Sequence, residues 1–98
     1  MNITKTLHDA ELTIALEGRL DSTTAPDLEC EVRACLADVT SLIFDLEQLT
    51  YISSAGLRIL LSSQRNMNPQ GSMVVRNVRP EIMEIFNISG FSDILTIE

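Results

Sequence analysis

The sequence predicts a single α/β domain over residues 1–98: a mixed sheet of about five strands, opened by a hairpin and continued by alternating helices packed on it. Three observations carry this. Two alternating segments stand close together at the start. After them, apolar runs of strand length alternate with segments of helical spacing. Glycine and proline fall between the segments. At 98 residues the chain is the size of one domain, and 45% apolar residues supply one core but not two. Charged residues at 21% are near the globular norm, which argues against disorder.

Ile3, Lys5 and Leu7 alternate with Thr4 and Thr6, a first strand, and "HDAE" follows as a loop. Leu12, Ile14 and Leu16 alternate with Thr13, Ala15 and Glu17, a second strand antiparallel to the first. Gly18 then opens the loop "GRLDSTTAP". A helix is predicted from Thr23 or Thr24, with Pro26 in the first turn, where its missing N–H costs nothing. Asp27, Glu29 and Glu31 lie near the positive end of that helix. Leu28, Val32, Cys35 and Leu36 share one face, and Cys30 and Cys35 are expected to help fill it.

"SLIFDL" reads as a buried strand and "EQLTYIS" as the loop behind it. A second helix starts near Ser54 and turns Leu57, Leu60 and Leu61 inward, with Pro69 and Gly71 as breakers after it. "MVVRNV" is another strand. Pro80 starts a third helix with Ile82, Ile85 and Phe86 at helical spacing, stopped near Gly90. "DILTI" closes the chain as the fifth strand.

Composition excludes several function classes. A net charge of -7 repels phosphate backbones and anionic membrane surfaces, so no nucleic-acid partner is expected. No apolar run approaches the ~20 residues of a membrane-spanning helix, so no membrane insertion is expected. "MNITKTLHDAELTIAL" lacks the basic-then-apolar layout of a signal peptide. Free cysteines without such a segment point to a reducing, cytoplasmic setting. The one histidine, His8, sits in a hairpin turn, away from any Ser–Asp pair. The four glycines are scattered and form no phosphate-cradling loop. No Cys/His cluster suits a metal. Asp45 and Glu47 fit a loop cap better than acid–base chemistry. The expectation is a non-enzymatic domain without cofactor or metal.

One stretch asks for more than a helix start. In "YISSAGLRILL", Ser53 and Ser54 precede an apolar helix, where serine is a preferred N-cap worth ~1 kcal/mol. Yet "FDLEQLTYISSAGLRILL" resembles the signature of the STAS domain family, above all its bacterial anti-sigma factor antagonists. "EGRLDSTTAPDLE" resembles that family's loop after the second strand. "VVRNVRPEIMEIFNISGFSDILTI" resembles its third-helix segment. Together these pieces cover nearly the whole chain in the family's order.

The resemblance implies a phosphoserine two residues before the motif glycine, which is Ser54 here. It implies as partners an anti-sigma factor with serine kinase activity and a phosphoserine phosphatase. The unmodified protein would bind the anti-sigma factor and free the sigma factor. Phosphorylation, with ATP consumed by the partner kinase, would release it. Many members carry Asp where Ser53 stands, and Ala55 replaces a second hydroxyl, so Ser53 is the second choice of acceptor. The expected partner surface comprises Asp21, Ser22, Thr24, Ser53, Ser54, Gly56, Leu57 and Arg58, the last because arginine is enriched at interfaces, on and around a helix running from Ser54 to about Arg65.

Each of these residues also has a plain structural reading: Asp21 as turn support, Thr24 as N-cap, Gly56 as a close-packing residue and Arg58 as a solvated side chain. Asp21 is expected close to Ser54. Members often continue into one more helix. Its lack after Glu98 is expected to expose part of the sheet face or leave a partner surface open. The competing reading is a STAS scaffold or a cytosolic subunit of a lipid transport system that binds a partner without phospho-switching.

Overall fold

A computed structural model describes residues 1–98 and places β1 at Asn2–His8, β2 at Glu11–Leu20, α1 at Ala25–Cys35, β3 at Ser41–Ile52, α2 at Ser54–Met67, β4 at Ser72–Arg76 and α3 at Pro80–Ser89. β1 and β2 form the antiparallel hairpin, with Asn2 opposite Glu17 and His8 opposite Glu11. β2 pairs in parallel with β3, and β3 in parallel with β4, giving the sheet order β1-β2-β3-β4. Parallel neighbours need crossovers, and α1 and α2 provide them.

Successive strand side chains point to opposite faces. One row therefore gathers Leu12, Ile14 and Leu16 of β2, Leu42, Phe44 and Leu46 of β3, and Met73 and Val75 of β4. These residues are buried in one core with Leu28 and Val32 of α1, Leu60 and Met67 of α2, and Ile82 and Phe86 of α3. Ile43 is also buried but stands outside that core, because it points to the other face of the sheet. Lys5 of β1 pairs with Glu31 of α1, fixing that helix over the hairpin side. Gly71 lets the turn before β4 close against the Thr40 carbonyl, 1.9 Å from where a Cβ would stand.

The structure corrects five expectations. The fifth strand over "DILTI" does not form. The N–H groups of Asp93, Ile94 and Leu95 donate back to Gly90 and Phe91 carbonyls in a 3-10 turn at Phe91–Asp93, so a strand ladder has no use of them. Only Ile97 bridges β4: Val75 N–H donates to Thr96 O at 2.8 Å and Glu98 N–H to Val75 O at 2.9 Å. β2 does not stop at Gly18 but runs to Leu20, with the glycine at φ 105° inside the strand. "EQLTYI" is strand and not loop, because β3 carries two register shifts against β2 that keep it paired to Ile52. Cys30 is exposed and does not fill the apolar face of α1, whereas half-buried Cys35 packs against the core beside Leu28, Val32 and Leu36 as expected. In α2, Ile59 is buried, while Leu61 is only half-buried.

Candidate functional site

The parallel β2–β3 pair ends with Leu20 opposite Ile52, so the loop after β2 and the start of α2 emerge side by side. They are tied directly: Ser53 N–H donates to Leu20 O at 2.9 Å. Asp21, the next residue, is thereby held beside the Ser53–Ser54 corner. Both loops hang from the C-terminal ends of parallel strands, the edge where α/β sheets usually carry their function.

Ser53 is the N-cap residue of α2, with extended backbone (φ -98°, ψ 177°), and its carbonyl accepts Leu57 N–H at 2.9 Å. Its side chain makes no capping bond, contrary to the simple expectation for serine before a helix. The hydroxyl is buried and has no partner. Ser54 is the first helical residue and is exposed. Two residues on, Gly56 packs on the sheet end. A Cβ there would lie 2.7 Å from Leu20 Cγ and 2.8 Å from Ile52 Cγ1. Close packing is thus the physical reason for this glycine, and it brings the N-terminal turn of α2 down onto the β2–β3 edge. Leu57 turns into the core at 9% exposure, so it anchors the helix rather than offering itself to a partner.

The Asp21 loop is built by its own side chain. Asp21 Oδ1 accepts the Thr23 hydroxyl at 2.7 Å, Thr23 N–H at 3.0 Å and Thr24 N–H at 3.2 Å. Its carbonyl accepts Ala25 N–H at 2.8 Å. Thr24 holds the N-cap position of α1, but its hydroxyl does not cap. It donates to Arg19 O at 2.9 Å and accepts Asp21 N–H at the same distance, stitching the loop back to β2. The free N–H groups at this helix start are met by Asp21 instead. Thr23 is not among the expected site residues. Its signal is an Asp followed two residues later by a hydroxyl residue, the pattern of an Asx turn.

Hydrogen bonds from the Thr23 hydroxyl, then from the Thr23 and Thr24 groups, favour the ionised carboxylate and hold Asp21 below the ordinary carboxylate range. A depressed folded-state value means that the turn is fully supported above ~3.9, the unfolded value, and loses support as pH falls through the lower folded value. In an acid titration followed by amide NMR, the Thr23 and Thr24 signals are expected to move only below that value, while the rest of the domain is still folded. Movement of those amides between about pH 5 and 4 would contradict this.

Ser22 and Arg58 both line a cleft of about 340 Å³ between α1 and α2. Its walls also include Glu29 and Cys30 of α1 and Ala55 and Ile59 of α2. Sequence spacing does not announce Glu29, Cys30, Ala55 or Ile59, since they come from two helices whose packing is a tertiary fact. Arg19 stacks over the half-exposed Tyr51 ring at 4.2 Å and approaches Asp21 at 3.9 Å, another contact between distant segments. Asp45, by contrast, has a structural role: its Oδ1 accepts Glu47 N–H at 3.1 Å and Asn77 Nδ2 at 3.2 Å. No helix of the chain is long and apolar enough to cross a membrane.

The site is therefore a surface corner: an exposed serine at a helix start, an ionised Asp loop beside it and a cleft behind. Known proteins share the fold that carries it. The chain is 35% identical to BtrV of Bordetella bronchiseptica, a protein described as a candidate anti-sigma factor antagonist, over 99% of this chain and 85% of that one. An anti-sigma factor antagonist of Mycobacterium paratuberculosis has the same fold, with a TM-score of 0.89 at 24% identity over 98% of this chain and 83% of that one. The Bacillus anti-sigma factor antagonist SpoIIAA matches with a TM-score of 0.78 in both its unphosphorylated form (18% identity, 99% of this chain, 87% of that one) and its phosphorylated form (20% identity, 99% and 91%). The model of the STAS domain matches residues 2–98, and with that span and these relatives the chain belongs to the STAS domain family.

Proposed function

We propose that this protein is an anti-sigma factor antagonist controlled by phosphorylation of Ser54. In this reading it is not an enzyme and needs no cofactor. Unmodified, it docks the exposed start of α2 and the Asp21 loop on an anti-sigma factor with serine kinase activity, which then gives up its sigma factor. The kinase transfers phosphate from ATP to Ser54, the complex separates, and a phosphoserine phosphatase restores the hydroxyl.

The observation that carries this reading is the contrast between the two serines. Ser54 is exposed at the first helical position, whereas the Ser53 hydroxyl is buried. A kinase needs the acceptor hydroxyl within reach of a nucleotide, which favours Ser54. The helix start tolerates the product, since its N–H groups and dipole favour negative charge. SpoIIAA, solved with and without phosphate, resembles this chain equally in both states. That supports a switch acting at the surface, with little change of fold.

Incubation with ATP and a serine-kinase anti-sigma factor that captures the protein, followed by intact mass and peptide mapping, tests the proposal. One phosphate on Ser54 is expected. Placement on Ser53 would keep the mechanism and move the site. A stable complex with no phosphate transfer would favour the scaffold reading.

A further inference from the structure

Of the seven Lys and Arg residues, five stand beside a carboxylate: Lys5 with Glu31, Arg19 with Asp21, Arg33 with Glu29, Arg76 with Glu98 and Arg79 with Glu81. Arg58 and Arg65 have none, in a chain that carries fourteen acidic residues, and of these two only Arg58 lines the cleft. The nearest candidate across the cleft is Glu29, which already holds Arg33 at 3.2 Å. Arg58 is exposed and lies on α2 four residues after Ser54, so the two side chains share one helix face. Long helical side chains lean toward the helix N-terminus, so from its place four residues on the Arg58 guanidinium can reach back over the turn that Ser54 begins.

We propose that Arg58 is the internal receptor of the Ser54 phosphate: free on the cleft wall in the unmodified protein, it pairs with the phosphate once Ser54 is modified and is withdrawn from any partner docked in the cleft. The planar guanidinium matches two phosphate oxygens at once, and the pair is charge-assisted. The switch then has two parts. It adds negative charge at the corner and removes the one unpaired cation beside it. This deepens the phospho-switch reading and rests on it. The other charged groups at the corner are Glu29 on α1, paired with Arg33, and Asp21 in the loop before it, approached by Arg19 at 3.9 Å. The two carboxylates oppose the phosphate and the two arginines offset them, and all four are the same whether or not Arg58 is present.

The test uses the full chain with phosphoserine incorporated at position 54 during synthesis, so it does not depend on any kinase. Phosphorus NMR titration reads the second ionisation of the phosphate in the chain with Arg58 intact, in Arg58→Gln and in Arg58→Lys. With Arg58 intact the phosphate is expected to ionise about half a unit lower than in Arg58→Gln, roughly threefold in acid constant, with Arg58→Lys between. The helix dipole is common to all three and cancels. Arg58 is exposed, so the variants are expected to keep the wild-type amide spectrum. Equal titration with Arg58 intact and in Arg58→Gln overturns the proposal. A second arm measures partner affinity. Arg58→Gln is expected to weaken binding of the unmodified chain about tenfold and to leave the phosphorylated chain unchanged, a coupling between the two positions. Equal losses in both states would overturn the withdrawal step. Should mapping place natural phosphorylation elsewhere, the switch reading falls, while the titration still decides whether Arg58 receives a phosphate on Ser54.

Discussion

Ser54→Asp is expected to weaken binding to the anti-sigma factor at least tenfold, and phosphoserine at the same position up to several-hundredfold. Ser54→Ala is expected to stay within a few-fold of the unmodified protein. The physical reason is local. Ser54 follows Ser53, whose N–H is tied to Leu20, the residue before Asp21, and the Asp21 carboxylate is held ionised by the Thr23 hydroxyl and the neighbouring N–H groups. A partner surface fitted to a hydroxyl next to one carboxylate would meet two adjacent negative groups after modification. Desolvating them together costs a few kcal/mol, which is one to nearly three powers of ten in affinity. Asp carries one charge, whereas phosphoserine carries about 1.5 to 2, so the order Ala, Asp, phosphoserine follows from charge alone. Calorimetric titration of the three forms against one kinase preparation checks it. Equal affinities for the Asp and Ala variants would remove the switch and leave a passive scaffold.

Gly56→Ala is expected to lower stability by about 1–2 kcal/mol, the upper part of the overpacking range less the gain in helix propensity. Two effects oppose each other. Alanine is better than glycine inside a helix by about 1 kcal/mol. Against that, the added methyl would meet Leu20 and Ile52 at 2.7 to 2.9 Å, and both are fully buried, at 0% and 2% exposure. Neither can swing away, and overpacking of this kind costs typically about 1–3 kcal/mol. The clash wins because its contacts lie well inside van der Waals distance on three atoms. For a domain of this size each 1 kcal/mol shifts Tm by roughly 4–8 °C. A thermal melt showing a fall of that order, with partner affinity reduced as well because the Ser54 turn is lifted, is the expected result. A rise in Tm would mean that helix propensity governs the position and that the close packing is not limiting.

Most of the architecture could be read from the sequence because it rests on local periodicity. The hairpin, the three helices and the strands at Ser41 and Ser72 all announce themselves by alternation, helical spacing or breakers. β3 beyond Leu46 does not, for a definite reason. Each register shift inserts one residue, so the inward positions become Leu46, Leu49 and Ile52, three apart instead of two. A period of three looks like neither element. Gly18 hides the end of β2 in a similar way, since it fills a place in the inward row between Leu16 and Leu20 without a side chain. The fifth strand fails in the opposite sense. Its apolar residues are strand-like, but Gly90, at φ 81°, allows the chain to coil first.

Within the site, Ser54 and Asp21 are expected from motif resemblance and Arg58 from the enrichment of arginine at interfaces, and the paired ends of β2 and β3 bring the segments that carry them together. The capping roles are not readable. Whether Ser53 or Thr24 turns its hydroxyl to the helix depends on backbone angles that local composition leaves open. The walls of the cleft depend on how α1 and α2 pack, which is long-range information.

The bond from Ser53 N–H to Leu20 O also sets the pace at which this corner can move. Loops usually open by themselves, at little cost. Here the residue next to the exposed serine is fastened as a further rung beyond the end of the β2–β3 ladder. Opening the corner means breaking this bond at the end of the ladder, so the corner is braced by the sheet in a way that a free surface loop is not. In the proposed switch, a partner or a kinase would then meet a corner already braced by the sheet, and the message would be written in charge on that frame.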